Sequence, residues 1–229
     1  MTDADTCTVW WATPDLVLPE SAQEALAALL DPDEKARVEQ LRRPEDRVRR
    51  LLGAAVLRLA AGAATGTPPA AVRIERHCPT CPQPHGRPTL PGTGLHASIS
   101  HSGDRVAVAL TAAGPVGVDV EVVHHVDVAL LAPSVLHPAE SAADLPAFFR
   151  YWTRKEATVK ATGDGITVGL HRLHVSAPGE PPALREYPGR PELTAVLHDL
   201  AVDGPYAAAL AVLRPAPVRV VERPASDLL

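Results

Sequence analysis

Gly117-Val-Asp-Val-Glu121 alternates valine with glycine and acids. In an extended strand that alternation sends Asp119 and Glu121 to one face beside Gly117, and Val118, Val120 and Val122 to the other. Two carboxylates held side by side repel unless a cation lies between them, and hard oxygen donors on a rigid strand suit Mg²⁺. A second set recurs at helical spacing. Trp152, Glu156 and Lys160 fall one turn apart, with Phe149 and Val159 beside them. A carboxylate sharing such an apolar stripe must be paired, hydrogen-bonded or bound to a metal. Taken singly, these features also describe an acidic sheet edge and an i,i+4 helix pair. Taken together, Asp119, Glu121 and Glu156 supply three oxygens of the octahedron Mg²⁺ prefers, which waters and a phosphate oxygen would complete. Arg154 and Lys155 point elsewhere on the helix and read as solvated residues.

The elements that must position these residues can be followed along the chain. Thr8–Ala12 reads as a first strand, with a Thr-Pro-Asp turn after it and a helix over Glu20–Leu30. Asp31-Pro-Asp-Glu34 has the signature of a capped helix start. From Arg37 to Arg50 six arginines (37, 42, 43, 47, 49, 50) meet three acids (39, 45, 46), a local excess that suits a ligand with several phosphates. A long core helix continues through Leu51–Ala64 and stops at Gly66-Thr-Pro-Pro. Val72–Arg76 reads as a strand. Cys78 and Cys81 form a C-x-x-C pair flanked by His77 and His85, which reads as a proline-stiffened surface loop ahead of a zinc site, since no second ligand pair accompanies it. Arg87, between Gly86 and Pro88, stands on a backbone with little freedom.

His96–Gly103, rich in serine and histidine, reads as a phosphate- or nucleotide-binding loop leading into a strand at Arg105–Leu110. Ser100, His101 and Asp104 are not a hydrolase triad, because neighbours along a strand or turn cannot face one another and no nucleophile elbow is present. Arg105–Leu110 and Val116–Val122 read as the two strands of a hairpin. Leu130–Glu140 is mostly apolar and interrupted by prolines, either a loop packed on the core or a place for a protein substrate to dock. Gly163 caps the central helix. Leu173–Ala177, Glu192–His198, Tyr206–Leu213 and Val218–Glu222 read as strands of a second sheet.

At 229 residues and 46% hydrophobic, the chain has ample material for a core. Its net charge of -5 argues against nucleic-acid binding through a general basic surface. No apolar run approaches the roughly 20 residues of a membrane span. The acidic Met1–Thr6 lacks the order of a signal peptide, and three cysteines are too few for a disulfide framework, so the cytoplasm is expected.

The chain resembles the Sfp-type 4′-phosphopantetheinyl transferases. Gly117-Val-Asp-Val-Glu121 matches the family's G-x-D-x-E strand, and Trp152-Thr-Arg-Lys-Glu-Ala157 with Lys160-Ala-Thr-Gly163 matches its W-x-x-K-E-(A/S)-x-x-K-x-x-G helix. Further matches fall at Gly86-Arg-Pro88, at Ile99–Gly103, and from Asp31 through Gly53. The resemblance implies an α/β (α+β) fold of two similar pseudo-symmetric halves, each a small, mostly antiparallel sheet with helices. The expected halves are residues 1–114 and 115–229, with the active site in the cleft between them. It implies Mg²⁺-dependent transfer of 4′-phosphopantetheine from coenzyme A to a serine of an apo acyl or peptidyl carrier protein, releasing adenosine 3′,5′-bisphosphate. Mn²⁺ is a possible substitute ion. In that reading Asp119, Glu121 and Glu156 hold the metal, Glu156 is the base for the serine hydroxyl, and Lys160 neutralises phosphate charge. Arg37, Arg50, Arg87, Ser100 and His101 fall where family members bind the adenylate and 3′-phosphate of coenzyme A. Glu34 stands where some relatives carry a basic residue. A monomer acting in fatty acid, polyketide or nonribosomal peptide synthesis is expected; the alternative is a non-catalytic coenzyme A or Mg²⁺-binding module of the same fold.

Overall fold

Two long helices and two sheets account for most of the architecture. A computed structural model describes residues 4–13, 19–76 and 86–228. The first strand, β1 (Thr6–Ala12), is followed by α1 (Glu20–Ala27), α2 (Pro32–Glu39) and α3 (Pro44–Thr65). Asp31 caps α2 as its sequence predicts: its side chain accepts from Glu34 N while the Glu34 carboxylate accepts from Asp31 N, and Pro32 opens the helix. The helix α3 ends at Gly66 in the left-handed region, φ 69°. Two two-residue strands follow, β2 (Glu75–Arg76) and β3 (Pro88–Thr89), then β4 (His96–Ser102), β5 (Arg105–Thr111) and β6 (Val116–Val122). Next come α4 (Val128–Val135) and α5 (Leu145–Thr162). Asp144 caps α5 through Ala147 N, and Gly163 at φ 79° closes it. The chain finishes with β7 (His174–Val175), β8 (Leu184–Glu186), β9 (Val196–Asp199), β10 (Tyr206–Val212) and β11 (Arg219–Pro224). Among the described residues no helix is long and apolar enough to cross a membrane.

The larger sheet runs β11-β1-β5-β4-β3-β2, the smaller β6-β10-β9, and β7 pairs with β8 alone. The strand β5 is buried on both faces. Val106, Val108 and Leu110 pack against Leu52, Val56 and Leu57 of α3. Ala107 and Ala109 meet Val118, Val120 and Leu210 of the smaller sheet. On that sheet's far side Ala209 and Ala211 pack under Tyr151, Ala157 and Ala161 of α5. The order is therefore helix, sheet, sheet, helix, with apolar contact between each layer.

Several sequence expectations change here. The expected hairpin of β5 with β6 does not form, because β5 already has β1 on one edge and β4 on the other. Gly114 (φ 145°) and Pro115 turn the chain out of the plane, and β6 pairs with β10 instead. His96–Ser102 is a strand, and the loop character is confined to Gly103-Asp104 at its tip. Its alternation explains why: Ala97 packs with the α3 core, while Ser98, Ser100 and Ser102 face β6. The strand expected over Val72–Arg76 shortens to Glu75–Arg76. Of the four late strands expected in a second sheet, only β9 and β10 join β6; β11 crosses over and lies parallel to β1. The Pro14-Asp15 part of the early turn, and His77, Cys78, Cys81 and His85, lie outside the described residues.

Candidate active site

The position of α5 on β6 is set by the absence of one side chain. A Cβ on Gly117 would lie 1.9 Å from Ala157 O and 2.5 Å from Ala161 N, so helix backbone rests directly on strand backbone. That close approach brings Glu156 and Lys160 of α5 alongside Asp119 and Glu121 of β6. Gly117→Ala is expected to push the helix away, lowering stability by at least about 1–3 kcal/mol and turnover with it. Thermal melting and a transfer assay check this, and unchanged values for both would show the contact to be slack.

A cleft of about 320 Å³ opens at this junction, lined by Ile99, Ser100, His101, Asp119, Glu121, Trp152, Glu156 and Lys160. Lys160 Nζ donates to Asp119 Oδ1 at 2.6 Å, to Ser100 Oγ at 2.9 Å and to Val118 O at 3.2 Å. Ser100 Oγ in turn donates to Asp119 Oδ1 at 2.9 Å and accepts from Val120 N. Ser102 Oγ donates to Glu121 Oε2 at 2.8 Å and accepts from Val122 N, and Ser98 Oγ accepts from Val118 N. Every second residue of β4 thus meets an edge amide of β6 through a hydroxyl, and these bonds join the two sheets where the acids stand. The serine alternation is visible in the sequence, but its partner strand is not.

Electrostatically the cleft is strained. Burial raises the Glu156 carboxyl above its ordinary value, and the charge of Asp119 raises it further, against the pull of Lys160. Burial and Asp119 do the same to Glu121. Asp119 is 2% exposed, and its Oδ2 is buried with no hydrogen-bond partner. Among the described residues no three metal-binding side chains are gathered into a ready cluster, and Lys160 holds one oxygen of Asp119. The donor chemistry nevertheless fits Mg²⁺: an unsatisfied buried carboxylate oxygen and two carboxyls raised by burial and by a like charge, all lining one cleft.

The remaining expected residues divide. Ser100 and His101 line the cleft with the acids. Arg50 is half-buried, its guanidinium pKa lowered by burial and then by Arg37, and its Nε is buried without a partner. Arg87 does not line this cleft; its Nη1 donates to Ala161 O at 2.6 Å near the end of α5, and it borders a separate cavity of about 270 Å³. Arg47 and Arg49 of the basic stretch bond Leu41 O and Gly103 O. Glu34 is buried against Arg58 at 2.6 Å, so its charge is turned into the core rather than toward a ligand.

Arg154 and Lys155, expected in solvent, are both fully buried. Arg154 is paired with Asp199 and donates to Ser176 O. Lys155 Nζ lies 2.5 Å from Glu140 Oε2 and donates to Val135 O and Leu170 O. Helical spacing separates faces but does not say what covers them, and here acids and carbonyls remote in sequence cover both cations.

Carboxylates beside a lysine in a cleft between two sheets can hold a divalent cation and neutralise a developing oxyanion, which is the equipment group transfer needs. Residues 115–211 match the family described as the 4′-phosphopantetheinyl transferase superfamily. The chain is 34% identical over 192 residues, 78% of each chain, to the 4′-phosphopantetheinyl transferase HetI of Nostoc sp. (strain PCC 7120 / SAG 25.82 / UTEX 2576). It is 33% identical over 137 residues, 56% of this chain and 57% of the relative, to the 4′-phosphopantetheinyl transferase psf-1 of Bacillus pumilus. A 4′-phosphopantetheinyl transferase of Bacillus subtilis is 26% identical over 169 residues, 70% of this chain and 72% of its own. The chain belongs to the 4′-phosphopantetheinyl transferase superfamily, and it is an enzyme of that activity.

Proposed function

We propose that this transferase moves 4′-phosphopantetheine from coenzyme A to a serine hydroxyl of an apo acyl or peptidyl carrier protein and releases adenosine 3′,5′-bisphosphate. The observation that carries the reading is the meeting of Asp119, Glu121, Glu156 and Lys160 in one cleft, with Asp119 Oδ2 buried and unsatisfied. Asp119, Glu121 and Glu156 would hold Mg²⁺, or Mn²⁺ in its place, which supplies positive charge to the coenzyme A diphosphate. Glu156, its carboxyl held above the ordinary value, takes the proton of the carrier serine as the serine oxygen bonds to phosphorus. The bond from that phosphorus to the adenosine bisphosphate oxygen breaks, and the bisphosphate leaves with the electron pair. Lys160 neutralises charge on the phosphate oxygens. Ser100 orients Lys160 and Asp119, being bonded to both. Arg37, Arg50, Arg87, Ser100 and His101 hold the adenylate end.

The molecule works as a cytoplasmic monomer of two related halves, residues 1–114 and 115–229, in fatty acid, polyketide or nonribosomal peptide synthesis. Support for the halves comes from α3 lying on β5 as α5 lies on β6 and β10. Incubated with Mg²⁺, coenzyme A and a panel of apo carrier domains, the protein is expected to add one phosphopantetheine arm, read by intact mass, and a chelator is expected to stop it. No gain on any carrier would overturn the carrier assignment, and an undiminished rate under chelation would overturn the metal.

A further inference from the structure

Ser98, Ser100 and Ser102 stand at alternate positions of β4, and their hydroxyls accept from Val118 N at 3.1 Å, Val120 N at 3.3 Å and Val122 N at 3.1 Å. The three bonds are alike, but the residues beside those amides differ. Ser98 lies by Gly117, which has no side chain to hold, and Ser100 donates to Asp119. Ser102 donates to Glu121 Oε2 at 2.8 Å. A hydroxyl has one proton to give. With Val122 N–H directed at its oxygen, Ser102 commits that proton to the carboxylate.

The place of this hydroxyl is fixed from several sides. In the turn that follows, Tyr206 Oη accepts from Asp104 N at 3.0 Å and donates to Asp104 Oδ1, and Tyr206 is the residue of β10 paired with Val122. From α3, Arg49 Nη1 donates to Gly103 O at 2.6 Å. The turn has no slack, because a Cβ on Gly103 (φ 55°) would lie 2.3 Å from Tyr206 Oη. Ser102 is thus locked to the backbone that carries Glu121.

Glu121 needs such a restraint. Asp119 projects from the same face of β6 two residues away, and its like charge drives the longer, freer side chain outward. Asp119 is held by Lys160 and Ser100 together. The side-chain hydrogen bond that Glu121 makes among the described residues comes from Ser102.

Building on the metal reading above, we infer that Ser102 is a positioning residue for the divalent cation: by holding Glu121 Oε2 it keeps that carboxylate beside Asp119 and leaves Oε1 for the ion. A hydrogen-bond partner behind a ligating carboxylate commonly sets metal affinity by a factor of about 10–100.

The test is titration of the full chain with Mn²⁺ in the presence of coenzyme A and without a carrier, free Mn²⁺ being read by electron paramagnetic resonance. Ser102→Ala is expected to weaken Mn²⁺ by at least about tenfold, and Ser102→Thr, which keeps the hydroxyl, to stay within about threefold of the parent. Ser98→Ala loses the same kind of bond to a β6 amide but no bond to an acid, so it is expected to bind Mn²⁺ within about twofold of the parent. In turnover, Ser102→Ala raises the Mg²⁺ concentration needed for half the maximal rate, and Ser98→Ala does not. Parent affinity in Ser102→Ala, or an equal loss in Ser98→Ala, overturns the inference. Should Ser102→Ala fail to fold, Ser102→Cys, whose thiol is a weak donor of similar shape, is titrated instead: weakened Mn²⁺ supports the role and parent affinity overturns it. A parent protein that binds no Mn²⁺ would overturn the metal reading and this inference with it, whereas equal binding by parent and Ser102→Ala would overturn the role of Ser102 alone.

Discussion

Glu156→Gln is expected to lower turnover by about 10²–10⁴-fold while coenzyme A still binds, because glutamine keeps the shape but cannot accept the serine proton. The arginines that grip the adenylate end are untouched, so calorimetric affinity for coenzyme A should change little. Stability supplies the control. Burial and Asp119 hold the Glu156 carboxyl above its ordinary 4.5, so its contribution to stability is fully present below 4.5 and is lost as pH rises through the raised value. Near neutral pH the ionised carboxylate therefore costs stability, and the glutamine variant should melt no lower than the parent. Unchanged turnover in the variant would remove Glu156 from the chemistry; a lower melting temperature would make the loss structural.

The second large effect is on folding. Lys155→Met should destabilise the protein by about 3–5 kcal/mol, because it leaves the Glu140 carboxylate, 1% exposed, without its cation. Glu140 also accepts from Val175 N and His137 N, and Lys155 Nζ holds Val135 O and Leu170 O, so the pair binds α4, β7 and α5 into one body. For a chain of this size such a loss lowers the melting temperature by roughly 10 °C. Replacing both partners, Lys155→Met with Glu140→Leu, should recover part of it, since no buried charge is then left unpaired. A single variant that melts with the parent would show the pair to contribute nothing.

The contrast between these two neighbours says what the sequence could reveal. Glu156 and Lys160 were legible because their spacing with Trp152 is local, as is the alternation that projects Asp119 and Glu121 from β6. Both periodicities are written into a few residues. Gly163 and the Asp31 cap were legible for the same reason. Lys155 and Arg154 were not, since their burial depends on Glu140, Asp199 and Ser176, supplied by segments 15 to 45 positions away. The β5–β6 hairpin misled because two valine-rich runs separated by Gly-Pro look like partners until the competing claims of β1 and β4 are counted.

The parallel pairing of β1 with β11 ties residues near one end of the chain to residues near the other. On a ribosome, β11 emerges more than two hundred residues after β1, so one margin of the larger sheet stays uncovered over that interval. An exposed strand margin invites pairing with another nascent chain. Escape from that hazard depends on how fast the segment carrying β11 is delivered, so codon speed between β10 and β11 would bear on the yield of native protein.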